Sequence, residues 1–112
     1  GMGRLGIYWG DGDNSAAAQA LIRLCELPGL EVEGMFTHFG MADSDPLYTM
    51  DQMDRFLAAR AAVEEAGFSL KICHCAASSA VLHYPRTHMD MVRPATTPSR
   101  SGTGRRSPAC AR

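Results

Sequence analysis

The chain has 112 residues, 46 % hydrophobic and 21 % charged, which are globular values and suffice for one small domain. No run approaches the roughly 18 apolar residues of a membrane helix. Gly1-Met2-Gly3-Arg4 also lacks the basic-then-apolar pattern of a signal peptide, so a cytoplasmic protein with no membrane partner is expected. The net charge of −1 hides an asymmetry. Residues 1–93 carry seven basic and twelve acidic side chains, whereas residues 94–112 carry four arginines and no acid. An acidic body offers no nucleic-acid surface.

Gly1–Gly6, GMGRLG, is too glycine-rich for a helix interior and reads as a tight loop that brings backbone and Arg4 close to a partner group. It is not a phosphate-binding GxGxxG turn, because no strand precedes it. Asp11–Ser15 supplies N-cap residues for a helix over Ala16–Leu27. Ala18, Leu21, Ile22 and Cys25 give that helix one apolar stripe, and Pro28-Gly29 ends it. A strand follows over Glu31–Phe36, with Gly34 inside its apolar run. It delivers Thr37-His38-Phe39-Gly40 to its end and opens into the polar loop Met41–Pro46, where Asp43 and Asp45 serve as turn and cap groups.

A second helix is expected over Tyr48–Ala66, with Met50, Met53, Phe56, Leu57 and Val63 on one side and Gly67 as its stop. The methionines read as core filler. Leu70–Cys75 is the next strand, the small residues Ala76–Ala80 form a turn, Leu82–Pro85 forms a short helical turn, and Asp90–Pro94 begins a third strand. The alternation implies parallel βαβ crossovers and an α/β fold of about three parallel strands. Three strands with two helices cannot cover both faces of a parallel sheet, so the chain reads as a slice of a larger fold.

Cys25, Cys73, Cys75 and Cys110 read as reduced thiols. Cys73-His74-Cys75 has C-x-C spacing and no second pair at finger spacing, which disfavours zinc. Residues 95–112 contain no Leu, Ile, Val, Phe, Tyr or Trp and are expected to be a disordered basic tail. An out-of-frame end to the coding region and a natural flexible tail both account for it.

Arg4, His38, the Ser78/Ser79 pair and Arg93 fall at element ends on one expected rim, with His74 beside them. In parallel α/β folds the C-terminal strand ends hold the active site. Serines entering a helix suit a phosphate, and two arginines suit phosphate and carboxylate, so the set points to a phosphorylated cofactor and a carboxylate substrate. Each residue also has a plainer reading. His38 alone is a satisfied structural histidine, Arg4 a surface ion-pair residue, Ser78 and Ser79 helix caps, and His83 and His88 solvated loop residues.

Four motifs in order sharpen this: GMGRLG at Gly1–Gly6, EGMFTHFGMAD at Glu33–Asp43, HCAASSA at His74–Ala80 and DMVRP at Asp90–Pro94. With these the chain resembles the alanine racemase family over residues 1–94. The resemblance implies part of an N-terminal (β/α)8 TIM-type barrel, pyridoxal 5′-phosphate as cofactor, and interconversion of L- and D-alanine to supply D-alanine for peptidoglycan. It implies a homodimeric parent. By the same resemblance Arg4, His38 and Arg93 serve catalysis, and Ser78, Arg93 and His38 hold the cofactor. Arg93 would face the pyridine nitrogen, His38 would belong to the network linking that arginine to a catalytic tyrosine, and Arg4 would lie near the substrate carboxylate.

Three departures stand out. Ala77 replaces an asparagine of the phosphate segment. Ala95-Thr96-Thr97 replaces a continuing apolar strand. The cofactor-binding lysine and the catalytic tyrosine are missing, and Lys71, the one lysine, begins its strand and is expected far from the cofactor. The residues therefore imply a piece that is inactive alone. Other readings stay open: another pyridoxal-phosphate barrel protein, a metal-dependent barrel hydrolase using His38, His74 and Asp43, and a non-catalytic interaction fragment. Exposed apolar surface and loose packing are expected in each case.

Overall fold

The computed structural model describes residues 2–95. The expected tail therefore lies, from residue 96 onward, outside the described residues. The order of elements is α1 (Ser15–Glu26), β1 (Gly34–Phe36), α2 (Pro46–Glu65), β2 (Ile72–His74), β3 (Ala76–Ala77), α3 (Ser78–His83), a 3₁₀ turn (Pro85–Thr87) and β4 (Val92–Arg93). β1 pairs with β2 in parallel, with Phe36 opposite His74. β3 pairs with β4 in parallel, with Ala77 opposite Arg93. The described residues thus form an α/β arrangement of parallel strands joined by helices.

Both long helices follow their sequence signals. α1 starts one residue earlier and stops one residue earlier than the caps suggest. Asn14 does not cap it. Its side chain instead bonds the Gly10 N–H at 2.9 Å and the Gly10 carbonyl at 3.0 Å, closing the preceding loop on itself. Asp45 caps α2 by accepting from the Tyr48 N–H at 2.9 Å, as expected, and Pro46 occupies the first turn, where its missing N–H costs nothing. Gly67 follows with φ of 95°, a left-handed stop.

The buried side of α2 differs from the apolar stripe in the sequence. Its buried residues are Thr49, Gln52, Phe56, Ala59 and Val63, while Leu57 is exposed. Two polar residues go inside because each satisfies backbone there. Thr49 Oγ1 donates to the Asp45 carbonyl at 2.7 Å, and Gln52 holds the loop after β1.

The strands are shorter than expected, since pairing rather than composition sets their ends. The stretch read as a turn, Ala76-Ala77, is a strand, because β4 lies alongside it. Helix α3 begins directly at Ser78, four residues before the expected helical turn. The chain from Ile72 to Ala77 therefore changes partner at Cys75, from β1 to β4. Asp90 bridges the change. Its carboxylate accepts the Cys73 N–H at 2.9 Å, and its own N–H donates to the Cys73 carbonyl at 3.2 Å. Phe39, Phe56, Val63, Leu70, Cys73, Cys75, Ala76 and Ala80 form the core between α2 and the strands.

Candidate functional site

Parallel pairing puts the C-terminal ends of β1, β2 and β4 on one edge, and each end carries a basic or imidazole group. His74 ends β2, Arg93 ends β4, and His38 follows β1 by two residues. The ladder runs one step past β1, where the Thr37 N–H donates to the His74 carbonyl at 3.2 Å, which fixes the approach to His38. His38, His74 and Arg93 line one small cleft together with Phe36, Cys75 and Ala77. Arg4 lines a neighbouring groove of about 620 Å³ that also reaches His38.

The two residues after His38 anchor it. Phe39 is buried, and Gly40 is clamped by the Gln52 side chain. The amide oxygen accepts the Gly40 N–H at 2.8 Å, and the amide nitrogen donates to the Gly40 carbonyl at 3.0 Å and to the Tyr48 carbonyl at 3.2 Å. A side-chain amide thus holds the peptide that follows β1. Nothing in the linear sequence marks Gln52 for this role, because its partner is a peptide twelve residues away. His74 stacks flat on Phe36, with ring centroids 5.0 Å apart and planes 4° apart. That contact also follows from the register and is invisible in composition.

The electrostatics tie these groups together. Burial first, then the charges of Arg4 and Arg93, hold the His38 imidazole below the usual histidine range. Burial and then Arg93 do the same to His74. Both rings therefore resist protonation, His38 beside two fixed cations and His74 beside one, a combination that attracts anions. Arg4 is exposed and makes no ion pair among the described residues, so the surface ion-pair reading does not hold.

Ser78 opens α3 beside the cleft, and its Oγ accepts the Ala95 N–H at 3.0 Å, joining the start of α3 to the residues after β4. Ser79 Oγ donates to the Ala42 carbonyl at 3.1 Å and so ties α3 to the loop after His38. Neither serine caps α3, whose N-cap is Ala77, which corrects the capping expectation. His88 is not a solvated loop residue either, since its Nε2 donates to the Val81 carbonyl at 3.0 Å. His83 is exposed. Lys71 lies before β2, at the opposite end of the strand from His74, and pairs with Glu31 at 3.0 Å. Among the described residues, no group of three or more His, Cys, Asp or Glu side chains is placed to hold a metal ion, so His38, His74 and Asp43 do not form a ligand set. No helix among them is long and apolar enough to cross a membrane.

Comparison with known proteins matches this arrangement. The family described as "Alanine racemase, N-terminal domain" matches residues 1–96. An alanine racemase of Desulforamulus reducens is 42 % identical over 95 residues, covering 84 % of this chain and 25 % of that protein. One of Desulfovibrio desulfuricans is 45 % identical over 94 residues, covering 83 % and 24 %. Among solved structures, the alanine racemase of Clostridium difficile 630 superposes with a TM-score of 0.74 at 33 % identity, covering 84 % of this chain and 24 % of that one. The Bacillus anthracis enzyme, solved with bound L-Ala-P, gives 0.71 at 34 % identity, with the same two coverages. The chain spans about a quarter of the length of these relatives. Over that span, from the glycine-arginine loop to the strand that ends on Arg93, it belongs to the alanine racemase N-terminal domain family.

Proposed function

We propose that residues 1–94 form an arc of a (β/α)8 barrel and supply the ring-nitrogen and phosphate side of a pyridoxal 5′-phosphate site in a racemase interconverting L- and D-alanine. The observation that supports this most directly is the cleft in which Arg93 faces two histidines at the ends of parallel strands. The donor set fits the group. Two guanidinium ions beside two neutral imidazoles form a cationic, hydrogen-bonding edge suited to a phosphorylated pyridine with an ionised phenolic oxygen.

When bound, the cofactor makes the alanine Cα–H acidic by drawing electron density from Cα. The chain's own residues hold and tune it. Arg93 is a permanent donor and cannot give up its proton, so it would keep a ring nitrogen held against it unprotonated. His38 and His74 stay neutral beside Arg93 and can pass hydrogen bonds without adding charge. Arg4 lies where a substrate carboxylate would be drawn in, and Ser78 with the backbone entering α3 would hold the phosphate. Ala77 contributes no side-chain donor there, so the phosphate relies on Ser78 and backbone N–H groups. Lys71 is engaged with Glu31 at the far strand end, so the residues in this sequence would hold the cofactor without covalent attachment.

Equilibrium dialysis of the purified chain against pyridoxal phosphate tests this reading. Saturable binding is expected, weakened about tenfold or more by R93A and also weakened by S78A, with no label retained on Lys71 after borohydride. Absence of binding, or binding indifferent to both substitutions, would overturn it.

A further inference from the structure

Asp90 closes a ring of two hydrogen bonds with Cys73, three residues before Arg93. β3 and β4 pair Ala76 with Val92 and Ala77 with Arg93, and the same register run back sets Cys73 opposite Met89. In a parallel ladder a residue in that place accepts the N–H of residue 90 and donates its own N–H to the carbonyl of residue 88. The first bond is made, from the Asp90 N–H to the Cys73 carbonyl at 3.2 Å. The second is not a ladder bond, because the Cys73 N–H goes to the Asp90 carboxylate at 2.9 Å. Met89 accounts for the exchange. Its φ of 45° is left-handed, which turns the His88 carbonyl out of the ladder. Cys73 is fully buried, so its N–H needs a partner from the protein, and the carboxylate is a strong one.

The ring bears on where Arg93 stands. β4 has two residues and pairs along one edge among the described residues. A side chain holds its segment at each end: the Asp90 carboxylate on Cys73, and Ser78 Oγ on the Ala95 N–H at 3.0 Å. Arg93 lies between them. Cys73 is the neighbour of His74 in β2, and its own ladder partner is Met35 of β1. Asp90 therefore ties the Arg93 segment to the strand pair that leads to both imidazoles, at the residue next to one of them.

We propose that Asp90 is a positioning residue, whose two bonds to Cys73 set the Arg93 guanidinium against His74 and His38 in the cleft. On the cofactor reading given above, the same link would fix the guanidinium that faces the pyridine ring.

An NMR titration of the imidazole C–H signals in the full chain, without cofactor, tests the link apart from that reading. After burial, the charges that lower the imidazoles are those of Arg4 and Arg93 at His38 and of Arg93 at His74. The Asp90 charge acts elsewhere, on Arg60 behind Glu64 and on the Cys73 thiol behind burial and Arg60. Asp90→Ala is expected to raise both midpoints toward their R93A values and to add nothing in D90A/R93A. Loss of an anion alone would lower them, so the sign separates displacement of Arg93 from loss of charge. Asp90→Asn keeps an oxygen acceptor for the Cys73 N–H and is expected to leave both midpoints at their wild-type values. Asp90→Glu keeps the charge but misplaces the acceptor; it is expected to raise both midpoints and stands in if D90A does not fold. Unchanged or lowered midpoints in the folded variant, or a rise in D90N equal to that in D90A, would overturn the proposal. Dialysis against pyridoxal phosphate separates the two readings. Wild-type binding that D90A leaves unchanged counts against Asp90, whereas no wild-type binding beside the expected midpoints counts against the cofactor site alone.

Discussion

Burial sets the state of two imidazoles and Arg93 adds to it at both, an influence that can be read residue by residue. Arg93 lowers both His38 and His74, whereas Arg4 acts on His38. In an NMR titration of the imidazole C–H signals, R93A is expected to raise both titration midpoints, and R4A to raise that of His38 and leave His74 in place. Equal movement of both rings in R4A would show that the two arginines do not occupy the separate positions described. The same shifts make stability depend on pH. Each ring is harder to protonate in the folded chain than at its ordinary value of 6.5, so the unfolded chain takes up protons first on acidification. Stability from these groups is complete well above 6.5 and declines as pH falls through that value. The melting temperature is expected to drop between about pH 7.5 and 5, and the slope to flatten in H38Q/H74Q. Equal slopes in both proteins would remove the histidines as its cause.

Among the elements, the loop carrying His38 depends on α2 more than on its own strand. Gln52→Ala would leave the Gly40 N–H and carbonyl without their buried partner. A loss of about 2 kcal/mol in chemical denaturation is expected, together with weaker burial of Phe39; a change within about ±0.5 kcal/mol would show that water replaces the clamp. The helices were legible in the sequence because caps, stops and periodicity are local. The rim of Arg4, His38 and Arg93 was legible because those residues sit at the ends of apolar runs and glycine loops. Gly34 could be noticed as a glycine inside a strand, but its reason lies across the ladder, where an added Cβ would meet the Ile72 carbonyl oxygen at 2.0 Å. The rest was hidden for the same kind of reason. Ala76-Ala77 carries no strand signal and becomes one only beside β4. Gln52 carries no signal until the loop it holds is in place. Asp90 reads as the start of a strand until its carboxylate is seen to accept the Cys73 N–H.

For the molecule as a whole, the described residues leave much apolar area uncovered. Leu5 is 98 % exposed, Leu47 85 %, Phe36 69 % and Tyr8 66 %. Together with two short ladders whose edges lie open, this predicts binding of hydrophobic dyes and concentration-dependent association, both visible by fluorescence and sedimentation. A monodisperse monomer with a sharp melt and no dye binding would contradict it. The change of partner at Cys75 has a mechanical meaning at this scale. The ladder carrying His38 and His74 is bonded separately from the ladder carrying Arg93, and the backbone at Cys75 and the Asp90 tether cross between them. The placement of the imidazoles relative to the guanidinium therefore rests on the buried backbone at Cys75 and on the Asp90 tether, not on one continuous ladder.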